Sequence, residues 1–229
     1  MKKIVVMTGA GISAESGIQT FRDADGLWHG HDVMEVASPE GWRKNPELVL
    51  EFYNQRRRQL HEVQPNAGHL ALVDLEKDYD VTIVTQNVDD LHERAGSRQI
   101  IHLHGELFKV RSTGNPRYVT EWKEDLNWGQ LCPQNHQLRP HIVWFGEMVP
   151  MLEPAAAVTS EADLVIIVGT SMQVYPAAGL VGYAPKKTPV YYVDPKPSIN
   201  YELSNSSQLT VIDQKATVGL PQLVKQLLG

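Results

Sequence analysis

The stretch Gly9-Ala10-Gly11-Ile12-Ser13-Ala14-Glu15-Ser16-Gly17-Ile18 follows the apolar run Ile4-Val5-Val6-Met7 and leads into Thr20-Phe21-Arg22-Asp23. A strand that ends in a glycine turn and opens a helix aims backbone N–H groups at a phosphate, and Gly11 lets the backbone approach a pyrophosphate closely. A nucleotide is therefore the first candidate ligand. The same string also describes ordinary turns. The residues after it depart from the usual dinucleotide pattern, a second strand ending in an acidic residue about 20 residues on. Here the chain runs Phe21-Arg22-Asp23-Ala24-Asp25-Gly26-Leu27-Trp28, polar and broken by glycine. We read it as a mobile loop over the ligand; the alternative, a surface turn, exposes Phe21 and Trp28 for no gain.

Four more polar clusters each follow a short apolar run: Thr85-Gln86-Asn87-Val88-Asp89-Asp90, His102-Leu103-His104-Gly105, Trp144-Phe145-Gly146-Glu147 and Gly169-Thr170-Ser171. In an open parallel sheet, ligands bind beyond the carboxyl ends of the strands. Any one cluster alone reads as a helix cap or a turn. Together with the glycine loop they predict one polar edge.

The elements that must carry these groups are β-branched runs: Ile4 to Met7, Val81 to Thr85, Ile100 to Leu103, His141 to Trp144, Leu164 to Val168, Val190 to Val193 and Leu209 to Ile212. Several are continuously apolar, as strands covered on both faces require, with helical stretches such as Gly68 to Glu76 and Leu220 to Leu228 between or after them. The pattern predicts a doubly wound parallel α/β sheet. Residues 40–62 add helical material beyond one crossover, and residues 108–140 are polar with no sustained period. We expect one catalytic domain over 1–229, with a smaller module built from insertions at about 23–70 and 106–140.

With 229 residues, 42% of them hydrophobic, the chain can bury a sizeable core. A net charge of −6 argues against nucleic acid as the main partner, Arg56-Arg57-Arg58 being the one basic cluster. The start Met1-Lys2-Lys3 passes directly into a strand with no cleavable apolar segment or membrane-length run, so we expect a cytoplasmic protein without membrane contact. We further expect a monomer. One cysteine, Cys132, excludes an internal disulfide.

In their order, Gly9-Ala10-Gly11-Ile12-Ser13, Thr20-Phe21-Arg22, Thr85-Gln86-Asn87-Val88-Asp89, His102-Leu103-His104-Gly105, Phe145-Gly146-Glu147 and Gly169-Thr170-Ser171 resemble the sirtuins, NAD-dependent protein-lysine deacylases, over essentially the whole chain. The resemblance implies a Rossmann-like sheet with a smaller inserted module, part helical and part a degenerate zinc ribbon. It implies that the acyl-lysine carbonyl oxygen attacks C1′ of the nicotinamide ribose, that nicotinamide leaves, and that His104 acts as base on a ribose hydroxyl, a task suited to a neutral imidazole. His102, two residues earlier, is assigned to the other face of the strand and to a structural role. Asn87 would hold the ribose or a water, and Asp89 would accept from the nicotinamide amide. Phe21 would cover the face nicotinamide leaves, while Arg22, Gln86, Ser13 and Ser171 would contact ribose and phosphate. The rest of the implied cofactor surface is Gly9, Ala10, Gly11, Ile12, Glu15, Trp28, Gly169, Thr170, Asp194 and Ala216. At Asp194 the family commonly has asparagine; a carboxylate accepts from ribose hydroxyls but cannot donate, and its charge opposes a nearby phosphate. The substrate, an acylated-lysine protein or peptide, would add as a strand along Val143, Phe145, Gly146 and Glu147.

Most sirtuins bind a structural zinc through two C-x-x-C pairs. The matching positions here read Ser112-Thr113-Gly114-Asn115 and Cys132-Pro133-Gln134-Asn135, so three of the four thiolates are missing. Cys132 and His136 would supply at most two ligands, and we expect no zinc. The module is then held by packing of residues such as Trp122, Leu126 and Trp128, with Cys132 a small buried hydrophobe.

Tyr53 and Arg56 share a helix face at a spacing of three. By themselves they read as a core-edge tyrosine and part of a solvated basic run. The resemblance gives them another role: the sirtuin subgroup that removes succinyl and malonyl groups carries this Tyr-x-x-Arg pair in its acyl pocket, and Ala37 matches the small residue that leaves room for a longer chain. The implied activity is removal of succinyl, malonyl and also acetyl groups, yielding nicotinamide and O-acyl-ADP-ribose. The competing readings are a mono-ADP-ribosyltransferase or NAD hydrolase using the same ribosyl chemistry, and a non-catalytic NAD-binding module.

Overall fold

The computed structural model describes residues 1–19, 27, 28 and 30–229. Its strands are β1 (Lys3–Thr8), β2 (Leu27–Trp28), β3 (His31–Asp32), β4 (Asp80–Thr85), β5 (Ile100–His102), β6 (Gly105–Ser112), β7 (Val119–Glu121), β8 (Leu138–Ile142), β9 (Leu164–Val168), β10 (Val190–Val193) and β11 (Leu209–Ile212). Its α-helices are α1 (Val33–Val36), α2 (Pro39–Lys44), α3 (Pro46–Glu62), α4 (Ala67–Leu75), α5 (Leu91–Ala95), α6 (Leu152–Ser160), α7 (Tyr201–Ser204) and α8 (Ala216–Leu228).

Six strands form a parallel sheet in the order β11-β10-β9-β1-β4-β5, so the chain order reverses beside β1. The alternation of β1 explains its continuous apolar sequence. Ile4 and Val6 pack with Leu72, Leu75, Leu220 and Leu223 on one face, under α4 and α8. Val5 and Met7 pack with Ala155, Leu180 and Tyr192 on the other. Helix α4 starts where Asn66 caps it, its Oδ1 accepting from the Gly68 N–H at 2.9 Å. No described helix is long and apolar enough to cross a membrane.

The small module departs from the sequence reading. His141 to Trp144 is not a strand of the parallel sheet: β8 covers Leu138–Ile142 and pairs antiparallel with β6, which also pairs with β7. Residues 105–142 therefore contain a three-stranded sheet whose alternation is interrupted by a register shift between Gly105 and Val110. Helix α3 covers it. Val49, Phe52 and Leu60 pack with Leu107, Ile142 and Trp144, while Leu50 meets Val110, Leu126, Cys132 and Leu138. Leu126 and Cys132 are core residues and Trp122 is half-buried against them. Trp128 is not core: it is 56% exposed and touches Trp42 at a ring separation of 6.2 Å.

Candidate functional site

A cavity of about 1080 Å³ opens along the carboxyl ends of β1, β4, β9 and β10 and continues under the small module. That exceeds the ~300–1,000 Å³ common for small-ligand pockets and gives room for a dinucleotide with a second reactant. Gly9, Ala10, Gly11, Glu15, Gln86, Asn87, Asp89, His104, Gly169, Thr170, Ser171, Asp194 and Ala216 line it, and so do Ala37, Tyr53, Arg56, Val143, Phe145, Gly146 and Glu147. Phe21 and Arg22 lie outside the described residues, as does the side chain of Trp28.

The glycine loop folds differently from the expected strand–turn–helix. After β1 the chain makes two short 3₁₀ turns, Ala10–Ile12 and Ala14–Ser16. The Gly9 and Gly11 N–H groups donate to Val168 and Gly169 carbonyls at 3.1 and 2.7 Å. A Cβ on Gly11 would stand 2.6 Å from the Gly169 Cα, so Gly11 is required by its contact with the second glycine turn. Ile12 is a core side chain of the sheet and does not face the cavity. Glu15 ties the loop to the start of α8, accepting from the Thr217 hydroxyl at 2.6 Å, with Lys215 Nζ at 3.6 Å.

Ser13 is wholly buried behind the cavity wall and links two predicted residues. Its Oγ accepts from Asn87 Nδ2 at 3.1 Å and donates to Asp89 Oδ2 at 3.0 Å, while Asp89 Oδ1 accepts from the Leu91 N–H at 3.2 Å. Ser13 thus orients the side chains assigned to the ligand. Burial pushes the Asp89 carboxyl up to about 6, against the Leu91 N–H, the Ser13 hydroxyl and the His102 charge. Above that pH it is a buried carboxylate with acceptor capacity left over, suited to a ligand amide. Gln86 donates to Thr170 Oγ1 at 3.1 Å and joins two of the strand ends. At the far end Asp194 is buried, its Oδ1 accepting from the Lys196 N–H at 2.8 Å, and Lys196 and Lys215 border the cavity near it.

His104 sets Nδ1 3.1 Å from the Gln86 carbonyl oxygen. A carbonyl only accepts, so Nδ1 carries the hydrogen and Nε2 the lone pair. Burial lowers the imidazole below its ordinary value, opposed by the Gln86 carbonyl, so His104 is a neutral base. His102 corrects the sequence reading. It does not point away from His104: His102 ends β5, His104 lies in the turn that follows, and His102 Nδ1 meets the next carbonyl of the same loop, that of Asn87, at 3.1 Å.

On the other wall, α3 separates the three arginines by its pitch. Arg58 points outward to Glu51 and Asp125. Arg57 is buried, donating to the Leu107 carbonyl and Asn54 Oδ1. Arg56, 7% exposed, donates back to the Phe52 carbonyl, lies over the Phe52 ring and borders the cavity beside Tyr53. The run is not a solvated basic face. Burial lowers the Arg56 guanidinium to about 9, partly offset by Tyr53, so it is cationic at neutral pH.

The segment Val143 to Glu147 borders the cavity, but much of its expected ladder edge is committed. The N–H groups of Val143, Phe145 and Glu147 donate to the carbonyls of His104, Ala37 and Trp144. Glu147 is a clasp within the wall: Arg139, Arg111 and the Trp144 N–H hold its carboxylate at 2.7, 2.9 and 2.9 Å. Trp144 was missed by the sequence reading as a site residue. Buried under Arg139, it donates its indole N–H to the Tyr53 hydroxyl. The signal was available, because a buried tryptophan needs a partner for that N–H.

The positions matching the zinc cysteines do not fit a zinc ion. Cys132 Sγ lies 3.2 Å from Ser112 Oγ, which also accepts from the Gly114 and Asn115 N–H groups. Asn115 Nδ2 donates to Gln134 at 3.1 Å. One thiol among hydroxyl and amide groups is a weak donor set for this metal. Elsewhere, Glu93 and His102 close on each other at 2.7 Å and Lys109 holds Glu106 at 2.8 Å, which makes that grouping an ion-pair cluster rather than a metal centre.

Residues 9–176 match the Sir2 family profile. A Helicobacter pylori protein named NAD-dependent protein deacylase is 58% identical over 228 residues, covering 100% of this chain and 98% of that one. The crystal structure of a Sir2 homolog–NAD complex superposes with a TM-score of 0.88 at 39% identity, covering 99% and 89% of the two chains. A Sir2 structure bound to acetylated peptide gives 0.79 at 26% identity, covering 97% and 92%.

Proposed function

The chain belongs to the Sir2 family and is an NAD-dependent protein-lysine deacylase, and on that premise we propose that it prefers acyl groups ending in a carboxylate, succinyl and malonyl, over acetyl. The observation that carries the preference is the Arg56 guanidinium, buried and cationic beside Tyr53 and bordering the cavity together with Ala37, Leu60, Leu107 and Trp144. A guanidinium at the cavity wall offers two parallel N–H donors, a fork that a terminal carboxylate matches bidentately and an acetyl group does not.

The cavity fits the cofactor: a buried acceptor, Asp89, stands at one end and Asp194 at the other, with the two glycine turns between. NAD, when bound, supplies the ribose carbon that receives the acyl oxygen, with nicotinamide as leaving group. Asp89 accepts from an amide N–H, and Asn87, fixed by Ser13, holds a hydroxyl or water beside it. His104 takes a proton at Nε2 while its Nδ1–H stays on Gln86. The small module is proposed to hold its shape without zinc, supported by the Cys132–Ser112 contact and the packing around Leu126.

The test is kcat/KM for succinyl-, malonyl- and acetyl-lysine peptides of one sequence, with the nucleotide product identified by mass. Faster removal of the acidic groups, with acyl-ADP-ribose formed, is expected. Equal or faster deacetylation would overturn the preference.

A further inference from the structure

His102 and His104 read successive carbonyls of the loop after β4, but their second nitrogens face different surroundings. His104 borders the cavity. His102 places Nε2 2.7 Å from Glu93 Oε1 on α5, with its side chain 9% exposed. The Asn87 carbonyl and the Glu93 carboxylate both accept, and neither donates. A neutral imidazole has a single N–H and satisfies one of them. Both contacts are hydrogen bonds only if His102 carries two.

We propose that His102 is a positioning residue that acts as an imidazolium, a charged strut between the Asn87 backbone carbonyl and the Glu93 carboxylate that holds the loop presenting Asn87 and Asp89 to the cofactor. The proposal rests on the deacylase reading of those two residues. The loop has other anchors, Asn87 N–H on Thr85 Oγ1 and Leu107 N–H on the Val88 carbonyl, so the strut sets the angle of one peptide rather than the existence of the loop.

The groups facing the ring agree with the charge. Glu93 comes from α5, Glu106 from β6 and Asp89 from the loop itself, all carboxyl groups. Lys109, on β6, holds Glu106, and His92, on α5, is neutral, its imidazole lowered well below the ordinary range by burial. Burial opposes charge on His102, but the Glu93 hydrogen bond and the Glu93 and Glu106 charges outweigh it and raise its pKa. The two histidines thus work in opposite protonation states. His104 must be neutral, which sets an acid limb for the reaction, and His102 must be charged, which sets an alkaline limb in kcat/KM for NAD.

The direct test is the ¹⁵N spectrum of histidine-ring nitrogens in the whole protein at pH 7.5, with the His102 signal assigned by its loss in His102→Gln. Two protonated ring nitrogens are expected. In Glu93→Gln the amide N–H can donate to a neutral His102, so the doubly protonated signal should disappear at that pH and the alkaline limb should flatten. His102→Ala should raise KM for NAD by about 10- to 100-fold, as loss of a hydrogen bond from a charged donor implies, with KM for the acyl peptide unchanged. A singly protonated His102 in the wild type, or an unaltered alkaline limb in Glu93→Gln, overturns the proposal, and neither result depends on His102→Ala folding. The spectrum is read without NAD or substrate. It therefore separates failure of this proposal from failure of the deacylase reading, which shows as wild-type inactivity.

Discussion

The Trp144 indole N–H donates to the Tyr53 hydroxyl at 3.0 Å, a contact between β8's end and α3 in which both side chains are buried. Burial raises the Tyr53 phenol above its ordinary range, outweighing Trp144, Arg56 and Arg139, so the group stays neutral and acts as a donor. Tyr53→Phe should slow desuccinylation by about tenfold or less, the size of one neutral hydrogen bond. Trp144→Phe should cost less in Tyr53→Phe than in wild type, because the two share one contact. Additive losses in the double-mutant cycle would show that Trp144 acts on the pocket by another route.

Arg56→Met keeps apolar volume and removes the charge. Desuccinylation should fall by about 10- to 150-fold in kcat/KM, the range for a hydrogen bond to a charged group, while deacetylation changes little. Because burial lowers Arg56 to about 9, the wild-type preference for succinyl over acetyl should shrink as pH rises toward that value, and the Arg56→Met ratio should stay flat. Equal losses on both substrates would assign Arg56 to the fold.

His104→Ala removes the lone-pair nitrogen and leaves the Gln86 carbonyl to water. Deacylation should drop to background while NAD still binds, since Asp89, Ser13 and the glycine turns are untouched. Calorimetric titration with NAD beside turnover checks both halves. Retained turnover would move the base elsewhere.

The sheet was legible because its chemistry is local. The run Ile4 to Met7 is apolar at every position, and the structure buries alternate residues under α4 and α8 or against α6. The small sheet was not legible. The register shift in β6 breaks its period, and β8 carries Arg139 inward because Glu147 and the Trp144 ring receive it. Such partners are supplied by the fold, not by neighbours in sequence. The glycine loop shows the same limit: a phosphate explains Gly11 from the sequence, whereas the structure makes it a contact with Gly169, about 160 residues away. Arg56 is the converse case, since α3 directs three adjacent arginines to three environments that a charge count merges.

The small module should be indifferent to chelators. With Cys132 engaged by Ser112 and no second thiol in the chain, purified protein should contain far less than one zinc per chain. EDTA should leave melting temperature and deacylation unchanged. Stoichiometric zinc by elemental analysis would contradict the assignment.

Two buried histidines behind the glycine loop should make the fold acid-sensitive. His69, in α4, accepts the Asn66 N–H at Nδ1 and stands edge-on to His92 at 4.9 Å, while His92 Nε2 lies 3.1 Å from Thr8 Oγ1, one residue before Gly9. Burial lowers His69 from 6.5 to about 4. An unfolded chain protonates this group near its ordinary value and the folded chain resists until about 4, so unfolding takes up protons in that window. Stability therefore falls as pH drops from about 6.5 to 4, by on the order of 3 kcal/mol for His69 alone. His69→Gln keeps an acceptor for the Asn66 N–H and cannot titrate, so its melting temperature should decline less steeply over that range than the wild type's. Parallel curves for the two proteins would assign the acid sensitivity to other groups, with His92, also lowered well below its ordinary range by burial beside His69, the next to test.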